Sequence, residues 1–320
     1  MNIKTLPKIA SRLKIGRFGP SSIMTVILLA IIVVAAFWVR SLPARFGELG
    51  GLDEFYIFRM SEYVLTHNWQ MPDPDLMRHH PFGARPILGD PPIPYYLPAA
   101  VYVAGGGFGM TYLQFALIFP AIMGALAVLA GYFLGKIVRD RKTGLLTAFF
   151  MAVIPAFLTR TIGGSFEKEG VIAPFIILCM YFFIRSYKGA SWKRGALCGV
   201  FLVIITQGWG GYQYFYYILT LFTVILLLLN QNLNKLLNSY IPMYVVMMIA
   251  SFILPYKAVG ITSPVYIIMA FSAVMVVSRF AVEKYGLIRK EKIIYFVPAC
   301  FVVGVIGLLL FIIVIISKNI

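Results

Sequence analysis

Long apolar runs alternate with short polar ones along the whole chain. A helix needs about 20 mostly apolar residues to cross a bilayer. By that measure the pattern predicts spans over 22–39, 113–137, 145–158, 171–184, 195–208, 211–229, 240–254, 264–278 and 293–316. A tenth apolar stretch, 91–107, carries Pro91, Pro92, Pro94 and Pro98 and ends in Gly105, Gly106 and Gly107. Prolines at that density disfavour a regular helix.

Composition supports the same reading. Of the 320 residues 60% are apolar and 12% charged, which excludes a water-soluble globule and predicts an all-α integral membrane protein. Cys179, Cys198 and Cys300 all lie inside apolar runs, so they supply neither an extracellular disulfide framework nor zinc-type spacing.

The net charge of +16 could suggest a nucleic-acid partner, but the basic residues sit in short clusters between apolar runs. In a polytopic protein such clusters record orientation, and no nucleic acid is expected. The basic tail 1–21 carries Lys4, Lys8, Arg12, Lys14 and Arg17 with no acid, which sets the N-terminus in the cytoplasm. Segment 22–39 is longer than the roughly 7 to 15 residues of a signal-peptide core, so it reads as a retained anchor. If 91–107 does not cross, the inner loops hold 19 of the 28 basic residues and 3 of the 12 acids. Letting it cross would put three central basic loops outside. The nine-span arrangement follows, with long outer loop 40–112, second outer loop 159–170 and an outer C-terminus.

The acids concentrate in those two outer loops. Glu167 and Glu169, spaced i, i+2, could aim both carboxylates at a hard cation such as Mg²⁺ or Mn²⁺. They also fit a solvated polar loop balanced by Lys168. Asp53 and Glu54 stand among aromatics in Gly51-Leu52-Asp53-Glu54-Phe55-Tyr56. Either they mark function near the membrane or they open an interfacial amphipathic helix with Arg59 and Glu62 as a surface pair. His79 and His80 are adjacent, so their side chains diverge, and a loop contact fits them better than ligation. Trp209, between Gly208 and Gly210, sits at an expected interface and fits a membrane-belt tryptophan.

Four motifs in order resemble the catalytic subunit of oligosaccharyltransferase, most closely its archaeal branch. They are Asp53 to Tyr63, then Pro81-Phe82-Gly83, then Thr159 to Glu169, then Trp209-Gly210-Gly211-Tyr212. The resemblance covers the chain from the first span to about residue 215; beyond that only hydropathy agrees.

The resemblance implies a C-type glycosyltransferase fold that moves an oligosaccharide from a dolichyl or polyprenyl phosphate or diphosphate to asparagine in Asn-x-Ser/Thr. On that reading Asp53 binds metal and the acceptor amide, Glu167 and Glu169 are further ligands to Mn²⁺ or Mg²⁺, and Arg160 is the active-site arginine. Glu54, Arg59 and Trp209 are weaker substrate-binding candidates. The site would face the outside of the cell membrane, with the lipid carrier arriving sideways from the bilayer.

Two departures stand out. Gly51 occupies the place of an acid the family often has, and the second motif is Glu-Lys-Glu rather than an aspartate pair. The family's later outer loop with a catalytic glutamate and its globular domain with a Trp-Trp-Asp signature are not in the sequence. The expectation is therefore the N-terminal half of a longer or split enzyme, nearly inactive alone, with a second chain as a candidate partner.

Rival readings are another C-type glycosyltransferase that uses Asp53 as a base toward a hydroxyl, a transporter, and a noncatalytic scaffold. A transporter would place ionisable residues near midspan, and the predicted spans are almost free of them between their ends.

Overall fold

The computed structural model describes residues 20–254 and 264–286 and position 299. Ten helices of eight or more residues form among the described residues: α1 (Pro20–Ser41), α2 (Leu52–Thr66), α3 (Ile93–Ala104), α4 (Tyr112–Val138), α5 (Arg141–Val153), α6 (Lys168–Gly189), α7 (Trp192–Thr206), α8 (Tyr212–Leu228), α9 (Leu233–Ile253) and α10 (Pro264–Tyr285). The same residues contain no strand, only an isolated bridge between Asp75 and Ala84.

Five of these, α1, α4, α6, α9 and α10, are long and apolar enough to cross a bilayer, and α8 is apolar but shorter. Helix α1 leaves Ile23, Val26, Ile31 and Val34 at least half exposed, an arrangement that lipid solvates and water would not.

Helix boundaries differ from the expected spans where proline intervenes. The segment 145–158 is not one helix: α5 stops at Val153, and Pro155 opens a separate turn, Pro155–Leu158. Thirteen residues reach only about 20 Å, short of the hydrocarbon core. The stretch 91–107, expected to resist helix, contains α3. Pro92 caps it and Pro94 stands in its first turn, where a missing N–H costs nothing; only Pro98 lies inside. At 12 residues α3 is too short to cross. The predicted span 293–316 lies outside the described residues.

Helix α4 is the hub, packed between α1, α5 and α6, while α6 to α10 share a second core. Close approach between helices depends on small residues. A Cβ on Gly195 or Gly199 of α7 would come within 2.8 Å of the α9 carbonyls of Asn238 and Met243. With no hydrophobic gain between helices in lipid, such backbone proximity supplies the packing energy.

Candidate active site

Two helix N-termini meet at one end of the bundle. Gly51 caps α2, whose first turn holds Asp53 and Glu54; Glu167 caps α6, whose first turn holds Glu169. Carboxylates suit these positions because the first N–H groups of a helix lack intrahelical acceptors and its dipole is positive there. Glu169 is thus a helix residue, not the loop residue its spacing suggested. Asp53, Glu167, Glu169, Arg160 and Trp209 all line one cleft of about 270 Å³.

Arg160 Nη1 donates to Glu167 Oε2 at 2.5 Å. This pair also borders a second cleft of about 630 Å³, which is lined by Glu48, Glu54 and the apolar Pro43 and Phe46. Consecutive residues of α2 therefore serve different clefts, Asp53 the smaller and Glu54 the larger. Burial, and after it the nearby Glu167 carboxylate, raises the Glu54 carboxyl above the ordinary glutamate range. The bond to Glu167 raises the Arg160 guanidinium still further, so it stays charged.

Main-chain bonds hold the two motifs together. Gly50 N–H donates to Gly164 O at 2.9 Å, Gly164 N–H to Leu117 O at 2.9 Å, and Gly163 N–H to Arg40 O at 2.7 Å. Gly164 has φ +88°, and a Cβ there would sit 2.7 Å from the Glu48 carbonyl, so both backbone conformation and space demand glycine.

Arg40, which sequence reasoning passed over, is fully buried beside this junction. The signal that could have found it is a charged residue in the last turn of an otherwise apolar span.

Arg59 sits on α2, and its guanidinium grips Asp75 at both oxygens, 3.0 and 2.5 Å, rather than pairing with Glu62. Arg59 and Arg78 both lie over the Tyr56 ring, at 5.5 and 5.1 Å. Tyr56 and Arg78 each donate to Asp90 Oδ2 at 2.6 Å. Burial and Asp90 push the Tyr56 phenol up to about 12, so it remains a donor. This network folds the long connection 67–92 onto α2 and engages Arg59 structurally. His79 and His80 are exposed on that connection.

Asp53, Glu167 and Glu169 are oxygen donors on one cleft, a set that suits a hard divalent cation. As the side chains stand, no three His, Cys, Asp or Glu groups among the described residues converge as ligands, and Glu167 is held by Arg160.

Residues 23–319 match the family described as oligosaccharyl transferase STT3, N-terminal. The chain is 28% identical over 257 residues to dolichyl-phosphooligosaccharide-protein glycotransferase 1 of Pyrococcus furiosus, which covers 75% of this chain and 26% of that protein. It is 25% identical over 139 residues to the Saccharomyces cerevisiae STT3 subunit of dolichyl-diphosphooligosaccharide--protein glycosyltransferase, covering 43% of this chain and 19% of the subunit. The chain thus spans about a quarter or less of these relatives.

Its fold is that of the Archaeoglobus fulgidus oligosaccharyltransferase AglB in complex with an inhibitory peptide and a dolichol-phosphate. The TM-score is 0.74 at 18% identity over 92% of this chain and 38% of that one. An Archaeoglobus fulgidus oligosaccharyltransferase solved in complex with Zn and sulfate is similar as well, with TM-score 0.73, 18% identity and coverage of 89% and 40%. It has also been solved tethered to an acceptor peptide containing the NVT sequon, with TM-score 0.74, 18% identity and coverage of 93% and 38%. By the family match over nearly its whole length, the chain belongs to the STT3 oligosaccharyl transferase family, as a counterpart of its N-terminal region.

Proposed function

We propose that the chain is the membrane-embedded catalytic part of a protein N-glycosylation enzyme, which transfers an oligosaccharide from a dolichyl or polyprenyl phosphate or diphosphate to asparagine of Asn-x-Ser/Thr. The observation that carries the reading is the meeting of Asp53, Glu167, Glu169 and Arg160 on one cleft. Dolichol-phosphate and an NVT acceptor peptide, bound to the archaeal enzyme of the same fold, support the substrate classes.

An amide nitrogen is a poor nucleophile because its lone pair is delocalised. Asp53, exposed at the start of α2, accepts the amide hydrogens and fixes the nitrogen toward the sugar's anomeric carbon. The leaving phosphate accumulates negative charge, and Arg160 is the permanent cation on the cleft that meets it. Asp53, Glu167 and Glu169 would hold Mn²⁺ or Mg²⁺, which as a Lewis acid stabilises the same charge. The zinc complex of the archaeal enzyme supports a divalent site. Glu167, now bonded to Arg160, would have to share its carboxylate between that cation and the metal, and Trp209 lines the cleft as an apolar wall.

The reading keeps the nine-span order expected from the basic loops, counting α5 and the turn Pro155–Leu158 together as one crossing, with tail 1–21 in the cytoplasm and loops 40–112 and 159–170 outside, and so assigns the cleft to the extracellular face of the cell membrane. The reading is tested in cells by following a reporter with a single Asn-x-Thr sequon. Asp53→Ala abolishes the glycosylated form if the reading holds, and unimpaired glycosylation would mean a noncatalytic scaffold.

A further inference from the structure

Arg40 is 0% exposed and has no carboxylate partner among the described residues. A buried charge without a counter-ion is expensive and persists only where oriented dipoles replace water. Those dipoles come from three directions. Nε donates to Thr161 Oγ1 at 2.9 Å, Nη1 to the carbonyls of Ala152 at 3.0 Å and Ala36 at 3.2 Å, and Nη2 to Met151 O at 2.9 Å.

The acceptors on α5 exist because Pro155 ends that helix. Proline has no N–H to return to the Met151 carbonyl four residues back, and the last carbonyls of α5 carry the negative end of its dipole. Thr161 gives its own proton to Phe157 O at 2.8 Å, which leaves an oxygen lone pair for Arg40. The Arg40 carbonyl receives Gly163 N–H at 2.7 Å, so the same residue grips the loop by side chain and backbone. Gly124 of α4 leaves the room: a Cβ there would stand 2.8 Å from both Arg40 Nε and Thr161 Cβ. Thr161 is bonded directly to Arg160, and Arg160 pairs with Glu167.

We infer that Arg40 is a positioning residue for the second acidic motif: acting through Thr161, it fixes Arg160 and with it the approach of Glu167 and Glu169 to Asp53. The inference rests on the reading above that these carboxylates hold a divalent cation.

The test is Mn²⁺ affinity of the purified 320-residue chain in detergent, read by the EPR signal of free Mn²⁺ beside a thermal melt of each sample. Thr161→Val removes the acceptor while keeping the side-chain volume, and Arg40→Lys keeps the charge but not the three-way fork. Both are expected to weaken Mn²⁺ binding about tenfold, as loss of a ligand-orienting residue does. Thr161→Ser, which retains the hydroxyl, restores it. Should Arg40→Lys fail to fold, Thr161→Val decides. Wild-type affinity in a folded Thr161→Val protein, even one that melts earlier, overturns the inference and leaves the divalent site standing. A wild-type chain that binds no Mn²⁺ overturns the divalent site and this inference with it.

Discussion

Arg160 and Glu167, joined at 2.5 Å, form the boundary between two clefts, and consecutive acids of α2 fall on opposite sides of it. Asp53 shares the smaller cleft with Glu169 and Trp209, whereas Glu54 faces the larger with Glu48. Two carboxylates one position apart thus acquire different chemistry from their surroundings.

That division predicts unequal consequences of isosteric neutralisation. Asp53→Asn and Glu167→Gln should each lower the rate of sequon-peptide glycosylation in native membranes about 10²-fold or more, the usual scale for losing a group that stabilises transition-state charge. Glu54→Gln should cost far less, because it faces the other cleft. Equal losses at Asp53 and Glu54 would show that the boundary has no catalytic meaning.

Glu54 also predicts a pH dependence of stability. Its folded-state pKa is raised, first by burial, so the folded chain binds more protons than the unfolded chain above the ordinary glutamate value of 4.5. Stability attributable to Glu54 is therefore present below that value and is lost as pH rises through the folded pKa. Glu54→Gln should melt higher than wild type at neutral pH, and the difference should vanish in acid. Melting curves between pH 4 and pH 8, on the order of the range that spans these values, check this.

Asp75 predicts the opposite slope. The Arg59 guanidinium, the largest influence on it, holds its carboxyl below the usual 3.8, so its contribution is present above 3.8 and is lost as pH falls through the folded pKa. Asp75→Asn should destabilise the chain at neutral pH and loosen the connection onto α2. Hydrogen exchange of Met77 and Ala84, whose N–H groups donate to Asp75 Oδ1 and to the Asp75 carbonyl, should quicken.

Gly124→Ala tests the space around Arg40 without touching a polar group. The new methyl meets Arg40 and Thr161 at 2.8 Å, so a loss of about 1–3 kcal/mol is expected, the usual cost of overpacking a filled core. Gly89→Ala, with nothing within 4 Å of the added carbon, is the control. Equal melting temperatures for the two variants would refute the packing described.

Hydropathy was enough to locate α1, α4, α6, α8, α9 and α10, because a long apolar run has few ways to satisfy its backbone other than a helix. The four short motifs were enough to select the family, and it was the resemblance they carry that nominated Asp53, Arg160, Glu167 and Glu169, while spacing alone left the acids open to a solvated-loop reading. The break of α5 at Pro155 and the helix over 93–104 were misjudged, since whether a proline ends a helix or opens one depends on which carbonyls it leaves unpaired and what covers them. Arg59 was weighed against its helical neighbour Glu62, yet Asp75, 16 positions away, wins through a two-oxygen grip. Arg40 was legible only as a charge in the last turn of an apolar span, and its place beside the cleft was not. Its partners Thr161, Met151 and Ala152 lie more than 100 positions along the chain, so its burial is a property of how α1, α4 and α5 pack and has no local signature. Local pattern encodes helices because their hydrogen bonds are local; the cleft and its supports arise only where distant segments desolvate one another.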